Sequence, residues 1–276
     1  MEHRIGFMYN ELSFARTNKN GYFEVTGVPF YLPGQHKPEL MIRLENEHTS
    51  NEGRFRVTSG SRMPIEYDGE PRVNMGTVNI DSTSCLAYTA FHDAVVDYFD
   101  RVGEANRSFS INLQGYVLHG PYTIYRAVMS PKKYNWTSIV AKHELAHVLR
   151  GIYDDDEEHF DEDARKYGSD KFVVHDCNTK TSEGFAFNEG WAFFWTKVCE
   201  RNNRRGAHDV AGNVAAALLN LQKQCKSSDK DMWQVLRKSP RVIHSYLEFE
   251  SRHRELFKCP EAEPLQHRTA AGTVQS

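Results

Sequence analysis

Two histidines four residues apart, His143 and His147, lie inside a stretch of helical apolar periodicity, and no other feature constrains the fold as tightly. Ile139, Val140, Leu145, Val148 and Leu149 supply the apolar positions and Gly151 offers a stop, so the pattern predicts a helix over about 137–150. Side chains at i and i+4 stand one turn apart on the same face. Both imidazoles can then converge on one ion, at about 2.0–2.1 Å each. Glu144, one step round the helix, is set to reach a water on that ion rather than the ion itself. A Lewis acid and a base sharing one water is the arrangement that metal-assisted hydrolysis needs. The plain alternative is a helix with one buried and one exposed histidine. Chemistry requires a further ligand, and "GFAFNEGWAFFWTKV" (Gly184 to Val198) offers Glu189 amid Phe185, Phe187, Trp191, Phe193 and Phe194. A carboxylate in such surroundings needs a partner, because a buried unpaired charge is costly.

Bulk properties remove several function classes. The 276 residues suffice for one large domain or two ordinary ones with a real core. The formal net charge of −3, without a long Lys/Arg run, gives no field for nucleic acid. No apolar run approaches the roughly 18–20 residues of a membrane span. The opening MEHRIGFMYN has no apolar core of a signal peptide. Five cysteines (Cys85, Cys177, Cys199, Cys225, Cys259) show no CxxC spacing, and their odd number leaves at least one free or paired outside the chain. Asn106-Arg-Ser and Asn135-Trp-Thr are glycosylation sequons. The expected location is extracytoplasmic or secreted, with a cytosolic one left open.

Texture changes near residue 80. Before it, short strand candidates alternate with turns: Tyr22 to Thr26 after the tight Asn20-Gly21 dipeptide, Leu40 to Leu44, Gly53 to Thr58 and Gly76 to Ile80. After it, Ala87, Phe91, Ala94, Val95, Tyr98 and Phe99 mark an amphipathic helix over about 84–102. Strands are expected at Phe109 to Leu113 and Tyr122 to Met129, the latter as an edge that receives an extended peptide. Further helices are expected at about 183–202, 208–226, 229–238 and 240–257, the last capped by Ser239-Pro240. The expectation is an α+β chain: a small β-sandwich over 1–80, a mainly helical domain with a short sheet over 81–258, and a disordered tail over 259–276.

The segment "ARTNKNGYFEVTGVPFY" resembles the transthyretin-like and carboxypeptidase-regulatory-like sandwiches over about twenty residues. Residues of about 85–200 resemble the gluzincins, the thermolysin-like HExxH zinc metallopeptidases, through His143-Glu144-Leu-Ala-His147 followed by Asn188-Glu189-Gly-Trp-Ala. That resemblance implies a thermolysin-like zincin core, Zn2+ held by His143, His147 and Glu189, and Glu144 as the general base for attack of a zinc-bound water on a peptide bond. The implied partner is a peptide or protein substrate. The interval of 41 residues between His147 and Glu189 exceeds that of thermolysin. Many gluzincins carry an aspartate four residues after the third ligand, hydrogen-bonded to the first histidine; this chain has Phe193. Loss of such a carboxylate can cost roughly 10–100-fold in metal affinity or activity.

Rival ligands follow from the same residues. A metzincin needs glycine and histidine where Arg150 and Tyr153 stand. An aspzincin would use an aspartate near "DARKYG", beginning at Asp163, at a different spacing. His159 and His175 are loop candidates. Eight of the ten residues from Asp154 to Asp163 are acidic, which suits either a solvated loop or, less readily, calcium. An oxyanion donor is expected from Tyr153, Tyr167, His175 or His208, with His208 and Tyr153 put forward. The expected function is a zinc metallopeptidase. A non-peptidase zinc hydrolase, or a binding or adhesion protein that keeps the fold without turnover, are the alternatives.

Overall fold

The structure, a computed structural model, describes residues 2–5, 8–27, 39–42, 45–50, 53–58, 63–65, 72–77, 83–103, 109–114, 120–124, 127–131, 134–156, 158–167, 176–199 and 207–259. The chain is α+β, with helices forming the larger part. Its strands are β1 (Glu2–Ile5), β2 (Met8–Glu11), β3 (Glu39–Ile42), β4 (Glu45–Ser50), β5 (Gly53–Thr58), β6 (Met63–Ile65), β7 (Phe109–Gln114), β8 (Tyr122–Ile124) and β9 (Ala127–Met129). Its helices are α1 (Thr83–Val102), α2 (Ser138–Tyr153), α3 (His159–Tyr167), α4 (Glu183–Thr196), α5 (Ala211–Cys225), α6 (Asp229–Lys238) and α7 (Tyr246–Phe257).

The strands do not divide at residue 80 as expected. One sheet has the order β2-β1-β3-β6, but β4 and β5 lie in a second sheet of order β4-β5-β7-β9-β8. β5 runs parallel to β7, pairing Phe55 with Phe109 and Thr58 with Asn112. Parallel neighbours need a long crossover, and α1 lies between them in the chain. The expected boundary therefore cuts a β-α-β unit, and among the described residues the strands of 1–80 are shared between two sheets, one of which continues beyond residue 80. Asn20-Gly21 makes its turn, with Gly21 at φ +82, yet Tyr22 to Gly27 form no strand. Ile80 and the tail from 260 lie outside the described residues.

Tyr122 to Met129 is a hairpin rather than one strand. β8 and β9 pair antiparallel with Ile124 opposite Ala127. Among the described strands β8 is the last of its sheet, and it is shorter than the expected strand.

The core gathers Phe91, Tyr98, Leu145, Leu149, Phe187, Trp191, Trp195, Trp233 and Phe249, all fully buried. Trp191 meets Trp233 edge-on at 4.9 Å, and rings so arranged add about 0.5–1.5 kcal/mol beyond area burial. α4 is buried on nearly every side and fits against α5 at Gly190, where a Cβ would come within 2.5 Å of the Val214 side chain. Any larger residue there would force the helices apart.

Helix ends differ from the expected ones for local reasons. α2 runs through Gly151 to Tyr153, with Thr137 as its N-cap. α4 stops at Thr196 because Lys197 turns left-handed, φ 57, and Val198 N bonds back to Phe193 O at 3.0 Å. α7 starts at Ser245, whose hydroxyl accepts from Glu248 N, not at Pro240. The intervening Ile243 is buried, and its carbonyl accepts from Arg150. The acidic run also closes into a helix, α3, with Asp161 and Glu162 in its first turn and Arg165 and Lys166 in its last. That order suits the helix dipole. Two disulfides, Cys177–Cys199 and Cys225–Cys259, link cysteines whose pairing the spacing left open. Among the described residues no helix is long and apolar enough to cross a membrane.

Candidate metal centre

α2 and α4 bring His143, His147 and Glu189 together with their ligand atoms all within 4.8 Å of one another. The two Nε2 atoms stand 3.2 Å apart. His143 Nε2 lies 3.2 Å from one Glu189 oxygen and His147 Nε2 lies 3.6 Å from the other. Ligands at about 2.0–2.2 Å around a tetrahedral ion are separated by roughly 3.3–3.6 Å. The observed contacts, 3.2, 3.2 and 3.6 Å, lie at or just below those values and engage both Glu189 oxygens. Two imidazoles and one carboxylate also form a donor set of the kind catalytic zinc sites use, with one position left for water or substrate.

Burial makes the arrangement selective. Glu189 is 2% exposed and His147 8%. A carboxylate taken that far from water costs several kcal/mol unless compensated. Here the two imidazoles stand against it, one at each oxygen. His143 packs its ring against His147 at 4.8 Å and against Phe193 at 5.0 Å. Phe193 thus occupies, with an apolar ring, a place beside the first histidine.

Glu144 is also buried, and its Oε2 accepts a hydrogen bond from the Thr123 hydroxyl at 2.6 Å. Thr123 belongs to β8, so the outermost strand of the sheet touches the expected base. Tyr134 lies in the same electrostatic neighbourhood: burial pushes its phenol up, and the Glu144 charge adds to the rise. Its ring leans on Trp136 at 5.3 Å. Sequence reading missed both Thr123 and Tyr134. The first stood within an expected strand, and the second carries no motif.

The two oxyanion candidates put forward from the sequence are not supported by the geometry. Tyr153 is buried in the core, its hydroxyl bonded to Tyr98 and its ring 5.0 Å from that of Trp233. Six residues beyond His147, it sits about 120° round the helix from it. His208 rests on the Tyr246 ring at 4.6 Å, ahead of α5. Tyr167 stacks on Phe185 at 5.0 Å, and His175 lies outside the described residues.

The rival ligands His159 and Asp163 belong to a second buried network. Arg150, 1% exposed, donates Nε to Asp154 Oδ2 at 3.2 Å and stands over the Phe187 ring at 4.4 Å. Burial pushes the Asp154 carboxyl up to about 6, with Arg150 opposing the rise. His159 donates Nδ1 to Asp156 O at 2.7 Å, and burial lowers it to about 3, reinforced by Arg150. Asp163 Oδ2 accepts from Asn188 Nδ2 and from His244 Nδ1, each at 3.0 Å. Gly184 makes room for it, since a Cβ there would meet Asp163 Oδ1 at 2.4 Å. The acidic run is therefore not simply a solvated loop. Asn188, the residue before Glu189, joins this network through Asp163.

No protein-family model matches the chain, and no curated protein matches it. Among solved structures the chain is similar to an M1 zinc metallopeptidase from Deinococcus radiodurans, with 14% identity and a TM-score of 0.34, over 80% of this chain and 53% of that one. A mutant of the same enzyme aligns at 14% identity and a TM-score of 0.35, over 92% of this chain and 61% of that one. This chain thus spans between half and two thirds of that enzyme's length. At such low similarity the site rests on the geometry of this chain's own residues.

Proposed function

We propose that this chain is a zinc-dependent peptidase whose centre is His143, His147 and Glu189, with Glu144 as its general base. The observation that carries the reading is that two imidazole nitrogens 3.2 Å apart each meet an oxygen of the buried Glu189 carboxylate, at 3.2 and 3.6 Å. A zinc ion held there supplies Lewis acidity, bringing a water's pKa to about 7 and polarising a carbonyl. Glu144 takes the proton from the attacking water and returns it to the leaving amine. His143 and His147 stay neutral at their ligand nitrogens, and Glu189 offsets part of the cation's charge. An extended peptide running along the outer edge of β8 would lie beside Glu144, because Thr123 of that strand contacts its carboxylate. The two disulfides favour an oxidising, extracytoplasmic setting.

One experiment tests both halves of the reading. Metal content by plasma mass spectrometry is expected at about one zinc per chain for wild type and far below that for Glu189→Ala. Turnover of a mixed peptide library is expected from wild type, and only a small residual rate from Glu144→Gln. Wild type that holds no zinc after chelator-free purification would falsify the metal centre. Phe193 against His143 favours one second reading, a zinc-binding protein without turnover; it is separated by zinc that stays bound while no library member is cut.

A further inference from the structure

The contact between β8 and the base carries more than packing. Thr123 is 3% exposed, and in the antiparallel register it stands opposite Val128, which is fully buried. Directly opposed residues share one face of a sheet, so Thr123 faces the interior beside a core valine. Packing and strand propensity alone would be served as well by valine at this position. Threonine adds one hydroxyl proton with two acceptors near it. Glu144 Oε2 is at 2.6 Å and the Glu144 backbone oxygen at 3.3 Å. The shorter distance is that of a hydrogen bond to a charged carboxylate, 2.5–2.7 Å in general, and the longer is outside that range. The proton therefore goes to the side chain.

We propose that Thr123 is the positioning residue for Glu144: from the edge strand it fixes the plane of the base's carboxylate through Oε2. The inference rests on the hydrolase reading above. In this role Thr123 acts only through Glu144. Removing its hydroxyl should leave the metal in place and the substrate bound, while the base loses its orientation. A hydrogen bond to a charged group is worth roughly 1.5–3 kcal/mol, which converts to about a tenfold to hundredfold fall in kcat.

The test uses full-length wild type, Thr123→Val, Thr123→Ala, Thr123→Ser, Glu144→Gln and the double variant Thr123→Val/Glu144→Gln. Each is loaded with zinc and assayed on the library peptide that wild type cuts fastest. The expected result is one zinc per chain throughout, kcat reduced in Thr123→Val and Thr123→Ala with KM unchanged, and recovery in Thr123→Ser. In the double variant the valine should add nothing to the loss already caused by Glu144→Gln, because both changes act on one step. Should Thr123→Val not fold, the alanine and serine pair carries the same comparison. Wild-type kcat in both hydroxyl-free variants overturns the proposal, as does an equal loss in Thr123→Ser or an additive loss in the double variant. Wild type that binds zinc but cuts nothing removes the hydrolase reading and this inference with it.

Discussion

At the scale of single residues, the acidic run shows how burial reverses what charge suggests. Asp154 and His159 titrate in opposite senses. The carboxyl of Asp154 is raised to about 6 from 3.8, so the folded state holds its proton more tightly than the unfolded one. Its favourable contribution is complete below pH 3.8 and is lost as pH rises through about 6. His159 is depressed to about 3 from 6.5, so its contribution is present above 6.5 and is lost as pH falls toward 3. Between about pH 4 and 6 the two slopes oppose each other, and wild-type stability is expected to vary little there on their account. In His159→Gln only the aspartate slope remains, so stability should increase on acidification from pH 6 to 4. In Asp154→Asn only the histidine slope remains, and stability should fall over the same interval. Urea unfolding of the three proteins at pH 6, 5 and 4 checks this; parallel curves would contradict it. The sequence could not disclose the pair. A count of acids sees a solvated face, whereas burial here depends on Arg150 and on His244, the latter 81 residues from Asp163.

Among the elements, α2 gives the centre two histidines and Glu144, while α4, which gives Glu189, is the one tied at both ends. Cys177 precedes it and Cys199 follows it, and their disulfide, between positions 22 apart, closes a ring that contains the whole helix. The ring is pinned again where Gly212 N bonds to Cys177 O at 3.0 Å. Closing a ring of that size stabilises by about 3 kcal/mol in the chain-entropy account. Reduction of this bond in a Cys225→Ser/Cys259→Ser background should lower unfolding stability by about that amount. Zinc affinity should weaken with it, as Glu189 is no longer held at both ends of its helix. Chelator competition with and without a dithiol measures the second effect; an unchanged affinity would show that packing against α2 and α5 suffices. The helices themselves were largely legible. α1, α2 and α6 follow their apolar periods because each buries one continuous face, and α4 announced itself by aromatic density. Strand β8 was not separated from β9 because Tyr125-Arg126 has none of the Gly, Asn or Asp residues that mark tight hairpins. The start of α7 was misread at Ser239-Pro240 for a similar reason: that pair is a sound cap, but Ile243 is drawn out of any helix to offer its carbonyl to Arg150.

On the scale of the whole molecule, the second sheet ties the two halves of the chain together. A change of texture near residue 80 reads as a domain boundary, since short strands give way to helices. Local pattern cannot report pairing between distant strands, and β5 with β7 is such a pair. β4 and β5 also pack on α1, whose buried face includes Ala87, Phe91 and Val95. A chain cut at 81 would therefore leave β7 without its β5 neighbour and part of α1 without its cover. Exposed strand edges and apolar faces of that kind lead to association. Expression of 81–259 is expected to give aggregated material or a broad, weakly cooperative unfolding transition. Residues 39–259, which keep β4 and β5, should unfold cooperatively and bind zinc as the full chain does. Size-exclusion chromatography followed by thermal unfolding separates the outcomes. If 81–259 proves monomeric and cooperative with full zinc affinity, the β5–β7 pairing is an accessory contact and the helical half is a domain in its own right. If it does not, the centre between α2 and α4 depends on strands that begin about 90 to 98 residues before His143, and the chain works as one cooperative unit from β4 to α7.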